Sequence, residues 1–164
     1  MTELSRPPLV DAFGRVHTYL RLSVTDRCFL PCSHCDIWKN DTVDLPTAFW
    51  EDAIDRLAAW CAPAAMNFVG GEPLLRKDLE SLMGRAVAQG FEVSFNTNGW
   101  LVTDARARGI AEAGVSIAYV SLDGVKPETV DETRGRKGAF DKAWTAVERL
   151  LAATEGVEDA NGVA

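Results

Sequence analysis

The chain has 164 residues, 47% of them apolar and 25% charged, with a formal net charge of -7. That length suits one domain with a substantial core. The acidic balance excludes a general attraction to nucleic acid, no run approaches the ~18 apolar residues of a membrane span, and the start of the chain, with Glu3 and two prolines, has no basic-then-apolar signal pattern, so a cytoplasmic protein is expected.

Residues 1–15 carry Pro7 and Pro8 without a sustained period and read as an N-terminal arm. From Val16 to Val24, apolar and polar residues alternate, the period of a strand. Thr47 to Cys61 predicts a helix: Phe49, Ala53, Ile54, Leu57, Ala58 and Cys61 recur at three and four, and Pro63 ends it. Ala65 to Val69 is a short apolar strand closed by Gly70-Gly71. Asp78 is positioned to cap a second helix that buries Leu79, Leu82, Met83, Ala86 and Val87. Phe91 to Thr97 alternates again, Thr103 to Ala113 forms a third helix, and Ile117 to Leu122 a fourth strand. A fourth helix runs from Gly138 to Ala153, with Phe140, Trp144, Val147, Leu150 and Leu151 facing inward, before a polar tail over 154–164. Strand followed by helix, four times over, predicts an α/β fold with a parallel sheet.

Chemistry concentrates after the first strand, where Cys28, Cys32 and Cys35 stand in C-x3-C-x2-C spacing. Tight clustering without a secretory pattern favours a metal site over disulfides. A structural zinc site wants four ligands, and the fourth would be His34, Asp36 or Cys61. Cys61, on an apolar helix stripe, reads better as a small buried hydrophobe. An iron-sulfur cube held by three thiolates leaves one iron open, which suits a cluster that binds something else there.

Special residues also follow the other strands: Gly70-Gly71-Glu72-Pro73, Asn96-Thr97-Asn98-Gly99 and Ser121-Leu122-Asp123-Gly124. The carboxyl ends of parallel strands are where ligands bind. Turn glycines alone account for part of this, but not for three cysteines and a Gly-Gly-Glu on one rim.

The cysteine triplet, GGEP (Gly70 to Pro73), TNG (Thr97 to Gly99), SLDG (Ser121 to Gly124) and ETRGRKGAFDKA (Glu132 to Ala143) resemble, in order, the motifs of the radical S-adenosylmethionine (SAM) enzymes. The likeness is nearest to the branch with the molybdenum-cofactor cyclase, the peptide-modifying maturases and the haem-modifying members, and it covers roughly Thr18 to Leu151. The resemblance implies the first four units of a partial (β/α)6 barrel over residues 16–153. It implies that Cys28, Cys32 and Cys35 ligate a [4Fe-4S] cluster whose open iron takes SAM. Glu72 and the Gly70-Gly71 backbone would engage the methionine amino group, and His34 would lie near the adenine. Ser121, Asn98 and Asp123 would reach the ribose or the methionine part, and Arg134 or Arg136 would pair with the carboxylate. The implied chemistry is reductive cleavage of SAM to a 5'-deoxyadenosyl radical that abstracts hydrogen from a small-molecule or peptide substrate, with a one-electron donor as partner.

The sequence departs from this family after Leu151, where AATEGVEDANGVA offers no fifth apolar strand. The chain is therefore expected to be a C-terminally truncated fragment, a short form whose open sheet edge a partner chain or self-association covers, or a form that keeps cluster binding without turnover. Two other classes of function compete: a non-catalytic iron-sulfur binding or electron-transfer module, and a zinc-stapled structural domain.

Overall fold

The computed structural model describes residues 7–61 and 65–155. Pro63, the expected end of the first helix, and most of the polar tail lie outside the described residues. Six strands are described: β1 (Leu9–Val10), β2 (Val16–His17), β3 (Tyr19–Thr25), β4 (Ala65–Gly70), β5 (Glu92–Thr97) and β6 (Ile117–Val120). The helices are α1 (Thr47–Trp60), α2 (Leu79–Ala88), α3 (Asp104–Glu112), α4 (Pro127–Arg134) and α5 (Ala139–Thr154). None of the described helices is long and apolar enough to cross a membrane.

Strands β3 to β6 form a parallel sheet in sequence order, with Tyr19 opposite Ala65, Ala65 opposite Glu92 and Ser94 opposite Ile117. Alternation sets its two faces. Leu22, Val24, Met66, Phe68, Val93 and Phe95 turn toward the helices and join Ile54 and Ala58 of α1, the buried stripe of α2, Ala107 and Ile110 of α3, and Ala146 of α5 in one core. Phe68 and Phe95 are fully buried, each worth roughly 1.5–3 kcal/mol relative to exposure. The opposite face carries Arg21, Asn67, Asn96, Tyr119 and Ser121, and none of the helices among the described residues contributes to the core from that side.

Four expectations need correction. The first strand is interrupted at Thr18, and its start pairs with Leu9–Val10 as an antiparallel hairpin, so the expected arm is partly ordered strand. Asp78 holds the N-cap position of α2, but its side chain makes no cap hydrogen bond. Its oxygens instead accept Arg76 Nε at 3.0 Å, Arg76 Nη2 at 2.5 Å and Thr47 Oγ1 at 2.6 Å. Helix α4 was not foreseen. It opens on Pro127 and closes on Gly135 in the left-handed region (φ 65°), while Asp131 accepts the Gly138 and Phe140 amides that open α5 at 2.7 and 3.0 Å.

The fourth correction concerns which side chains enter the core. Phe49, Trp144 and Leu151 are exposed, and α5 buries Ala139, Ala143 and Ala146 instead. The reason is close approach: a Cβ on Gly99 would lie 2.8 Å from the Cα of Ala143, so only small residues fit along that contact.

Candidate cofactor site

The carboxyl ends of the four parallel strands surround a cavity of about 230 Å³. Cys28, Cys32, His34 and Cys35 line it from the loop after β3, Gly70 and Gly71 from the end of β4, Asn98 from beyond β5, Ser121 from beyond β6 and Arg134 from the end of α4. Nine of the residues expected from sequence are therefore brought together.

The loops are held against each other by backbone bonds. Gly71 N donates to Thr25 O and Glu72 N to Arg27 O, both at 2.8 Å, which lays the Gly-Gly-Glu segment beside the cysteine loop. A Cβ on Gly70 would stand 2.1 Å from Thr25 O, and one on Gly71 2.2 Å from Arg27 O and 3.0 Å from Cys28 Cβ. The two glycines are required by the chain's own packing. Across the cavity, Ser33 N donates to Thr133 O at 2.9 Å, and Gly135 lies against Pro31.

Glu72 and Asp123 are placed differently from expectation, because neither side chain lines the cavity. Glu72 is fully buried, and its Oε1 accepts Leu74 N at 3.1 Å and Thr97 Oγ1 at 2.8 Å, while Oε2 accepts Asn98 N at 2.7 Å. Desolvation pushes its carboxyl above the usual range, against the pull of the donors from Asn98, Thr97 and Leu74. It ties the loop after β4 to the loop after β5. Asp123 pairs with Arg134, its Oδ1 accepting Nη2 at 2.9 Å. Arg136 lies over the rings of Trp100 and Phe29, its Cζ 4.3 and 5.6 Å from their centroids, and is not part of the cavity wall.

Sequence reasoning missed Arg21 as a wall residue; Asn96 and Thr97, placed on the rim without an assigned contact, also line the cavity. The signal for Arg21 was present: the strand alternation that buries Leu20 and Leu22 turns position 21 to the other face.

The donor set fits a cluster better than a single ion. Three free thiols line one cavity, yet no group of three or more His, Cys, Asp or Glu side chains among the described residues converges on a single-ion site. Cys61 is buried at the C-cap of α1, away from the cavity, and donates its thiol to Leu57 O at 3.1 Å, which argues against a place in a zinc set. Desolvation pushes the Cys28 thiol above its ordinary value, which favours the neutral thiol over the thiolate. Asn98 Nδ2 is a buried donor in the same cavity without a partner among the described residues, as a polar ligand would require.

Residues 22–158 match the Radical SAM superfamily, and the chain belongs to that family. It is 41% identical over 124 residues to an Fe-coproporphyrin III synthase of Methanosarcina barkeri, covering 74% of this chain and 31% of that protein. It is 34% identical over 146 residues to a probable GTP 3',8-cyclase of Methanocella arvoryzae (87% and 46%), and 36% identical over 149 residues to the mycofactocin maturase MftC of Mycolicibacterium smegmatis (88% and 38%). The chain thus spans less than half the length of these curated relatives. Among solved structures it is similar to Streptococcus suis SuiB bound to S-adenosylmethionine, with a TM-score of 0.72 at 18% identity over 83% of this chain and 32% of that one. It is also similar to anSMEcpe with bound AdoMet (SAM), with a TM-score of 0.68 at 22% identity over 83% and 40%. These likenesses show the fold, that of the partial barrels of the family. The family's cofactors are a [4Fe-4S] cluster and SAM.

Proposed function

We propose that the cavity is the cofactor site of a radical SAM protein, with Cys28, Cys32 and Cys35 holding three irons of a [4Fe-4S] cluster and SAM lying against the Gly70-Gly71 wall. The observation that carries this reading is the three free thiols and the Gly-Gly backbone on one cavity at the carboxyl ends of the sheet. When bound, the cluster and SAM supply a 5'-deoxyadenosyl radical for hydrogen abstraction.

The chain's own residues bind and orient. The glycines bring backbone groups to the ligand without a side chain between. Asn98 Nδ2 supplies a donor that lacks a partner among the described residues, the Ser121 hydroxyl supplies a donor and acceptor, and exposed His34 borders the position assigned to the adenine. Glu72 acts through Asn98, whose backbone it fixes. Leu30, Ile37 and Val69 form the apolar part of the wall and exclude water there.

The hydrogen donor is a small molecule or a peptide. One structural neighbour, SuiB, has been solved bound to its precursor peptide SuiA. Completion of the site by a further segment or partner along β6 is part of the same reading, since β6 is an edge strand with exposed Ile117 and Tyr119.

Anaerobic reconstitution with iron and sulfide, followed by reduction and electron paramagnetic resonance, tests the proposal. A [4Fe-4S] signal that changes on adding SAM is expected. A cluster indifferent to SAM would reduce the chain to an iron-sulfur module. Stoichiometric zinc with no cluster would overturn the reading.

A further inference from the structure

Arg134 stands at the end of α4 with its guanidinium engaged on two sides. Nη2 donates to Asp123 Oδ1 at 2.9 Å, and Nε lies 2.5 Å from Asp123 Oδ2. The remaining nitrogen, Nη1, reaches Cys32 Sγ at 3.8 Å. The Arg134 side chain is 12% exposed and Cys32 is 9% exposed, so little water competes for the contact.

A thiol is a weak acceptor, but a metal-bound thiolate is an anion, and donation from a guanidinium to an anion is charge-assisted. With the Nε and Nη2 edge turned toward Asp123, the Nη1 amino group is left facing sulfur. A lysine would bring the charge without the planar fork that fixes this orientation.

The geometry points to Arg134 as the residue that raises the reduction potential of the cluster, with Asp123 fixing the guanidinium so that Nη1 faces the Cys32 sulfur. This rests on the cluster reading above. One-electron reduction adds negative charge that the thiolates share. A hydrogen-bonded cation on one of those sulfurs stabilises the reduced form more than the oxidised one. Asp123 is thereby a positioning residue.

The test is a redox titration of the reconstituted protein, followed by electron paramagnetic resonance without SAM, on wild type and Arg134→Gln matched for iron and sulfide. A lower midpoint potential is expected in the variant. Arg134→Lys, which keeps the charge and loses the fork, is expected to fall between the two, and it serves if Arg134→Gln takes up no cluster. Calorimetric SAM binding to the oxidised protein is the second readout. An unshifted potential with weakened SAM binding would overturn the inference and make Arg134 a contact to the cofactor's carboxylate. A wild-type chain that binds no cluster sinks the underlying reading. A SAM-sensitive wild-type cluster with unshifted variants sinks only this inference.

Discussion

Glu72 Oε2 accepts the backbone amide of Asn98 at 2.7 Å, joining the loops that follow the two central strands of the sheet. Its other oxygen serves Leu74 and Thr97. A carboxylate in the middle of a site motif thus works as an internal clamp. Glu72→Gln places an amide N–H₂ where an acceptor is needed. It is expected to destabilise the fold by about 1–3 kcal/mol, the cost of a buried donor left unmatched, read as a lowered urea midpoint. An unchanged midpoint would mean that the loops hold without it.

Gly71→Ala tests the close approach of the loop after β4 to the cysteine loop. The added Cβ meets backbone atoms of Arg27 at 2.2 and 2.6 Å, and neither can yield as a flexible side chain would. The expected outcome is loss of cluster uptake at near-native helix content, checked by iron analysis and circular dichroism. Normal loading would show that the loops separate freely.

Cysteine replacements separate cluster from zinc. Cys35→Ala is expected to abolish cluster loading, whereas Cys61→Ala leaves it intact, because the Cys61 thiol is spent on its own helix at Leu57 O. Equal loss of bound metal in both would revive a four-ligand site.

Acid sensitivity follows from the carboxylates bound to arginine. Burial pushes the Asp78 carboxyl up, but hydrogen bonds from Arg76 and Thr47 and the Arg76 charge outweigh it and hold the group below its usual range. Asp44 shifts the same way, with Arg27 and Thr25 outweighing burial. A folded value below the unfolded one, about 3.9, gives stability that is complete above roughly pH 4 and is lost as pH falls through the folded value. Glu72 has the opposite sign: its raised value gives a contribution present at low pH and lost as pH climbs through the folded value. Asp78→Asn is therefore expected to show a smaller fall in unfolding free energy between about pH 5 and pH 3 than wild type. A parallel fall would mean that Asp78 carries no part of the acid transition.

The sheet was legible because its strands obey one rule, apolar side toward the helices, as in Leu20, Leu22 and Val24 or Val93 and Phe95. The candidate site was legible in outline because most of its expected residues follow strands and line one cavity. What escaped the sequence has particular causes. Helix α4 buries only Val130, so no apolar stripe marks it, although Pro127 and Gly135 bracket it correctly. Trp144 was assigned inward because bulk suggests core, while the near contact of α5 with Gly99 admits only alanine. Glu72 and Asp123 sit in the right motifs, but their partners are other parts of the chain: the amides of Leu74 and Asn98, and Arg134. Spacing along a sequence cannot tell a ligand contact from a clamp.

The bonds that shape the cysteine loop come from far along the chain. Cys32 and Arg134 are 102 positions apart, and the same stretch of α4 supplies Thr133 O to Ser33 N. During synthesis the three thiols emerge early and their clasp emerges late, after all four parallel strands have been made. In that interval the thiols belong to an unfinished cavity, open to oxidants and stray metal ions. On the cluster reading proposed above, the cavity that would receive the cluster is complete only once α4 has been made.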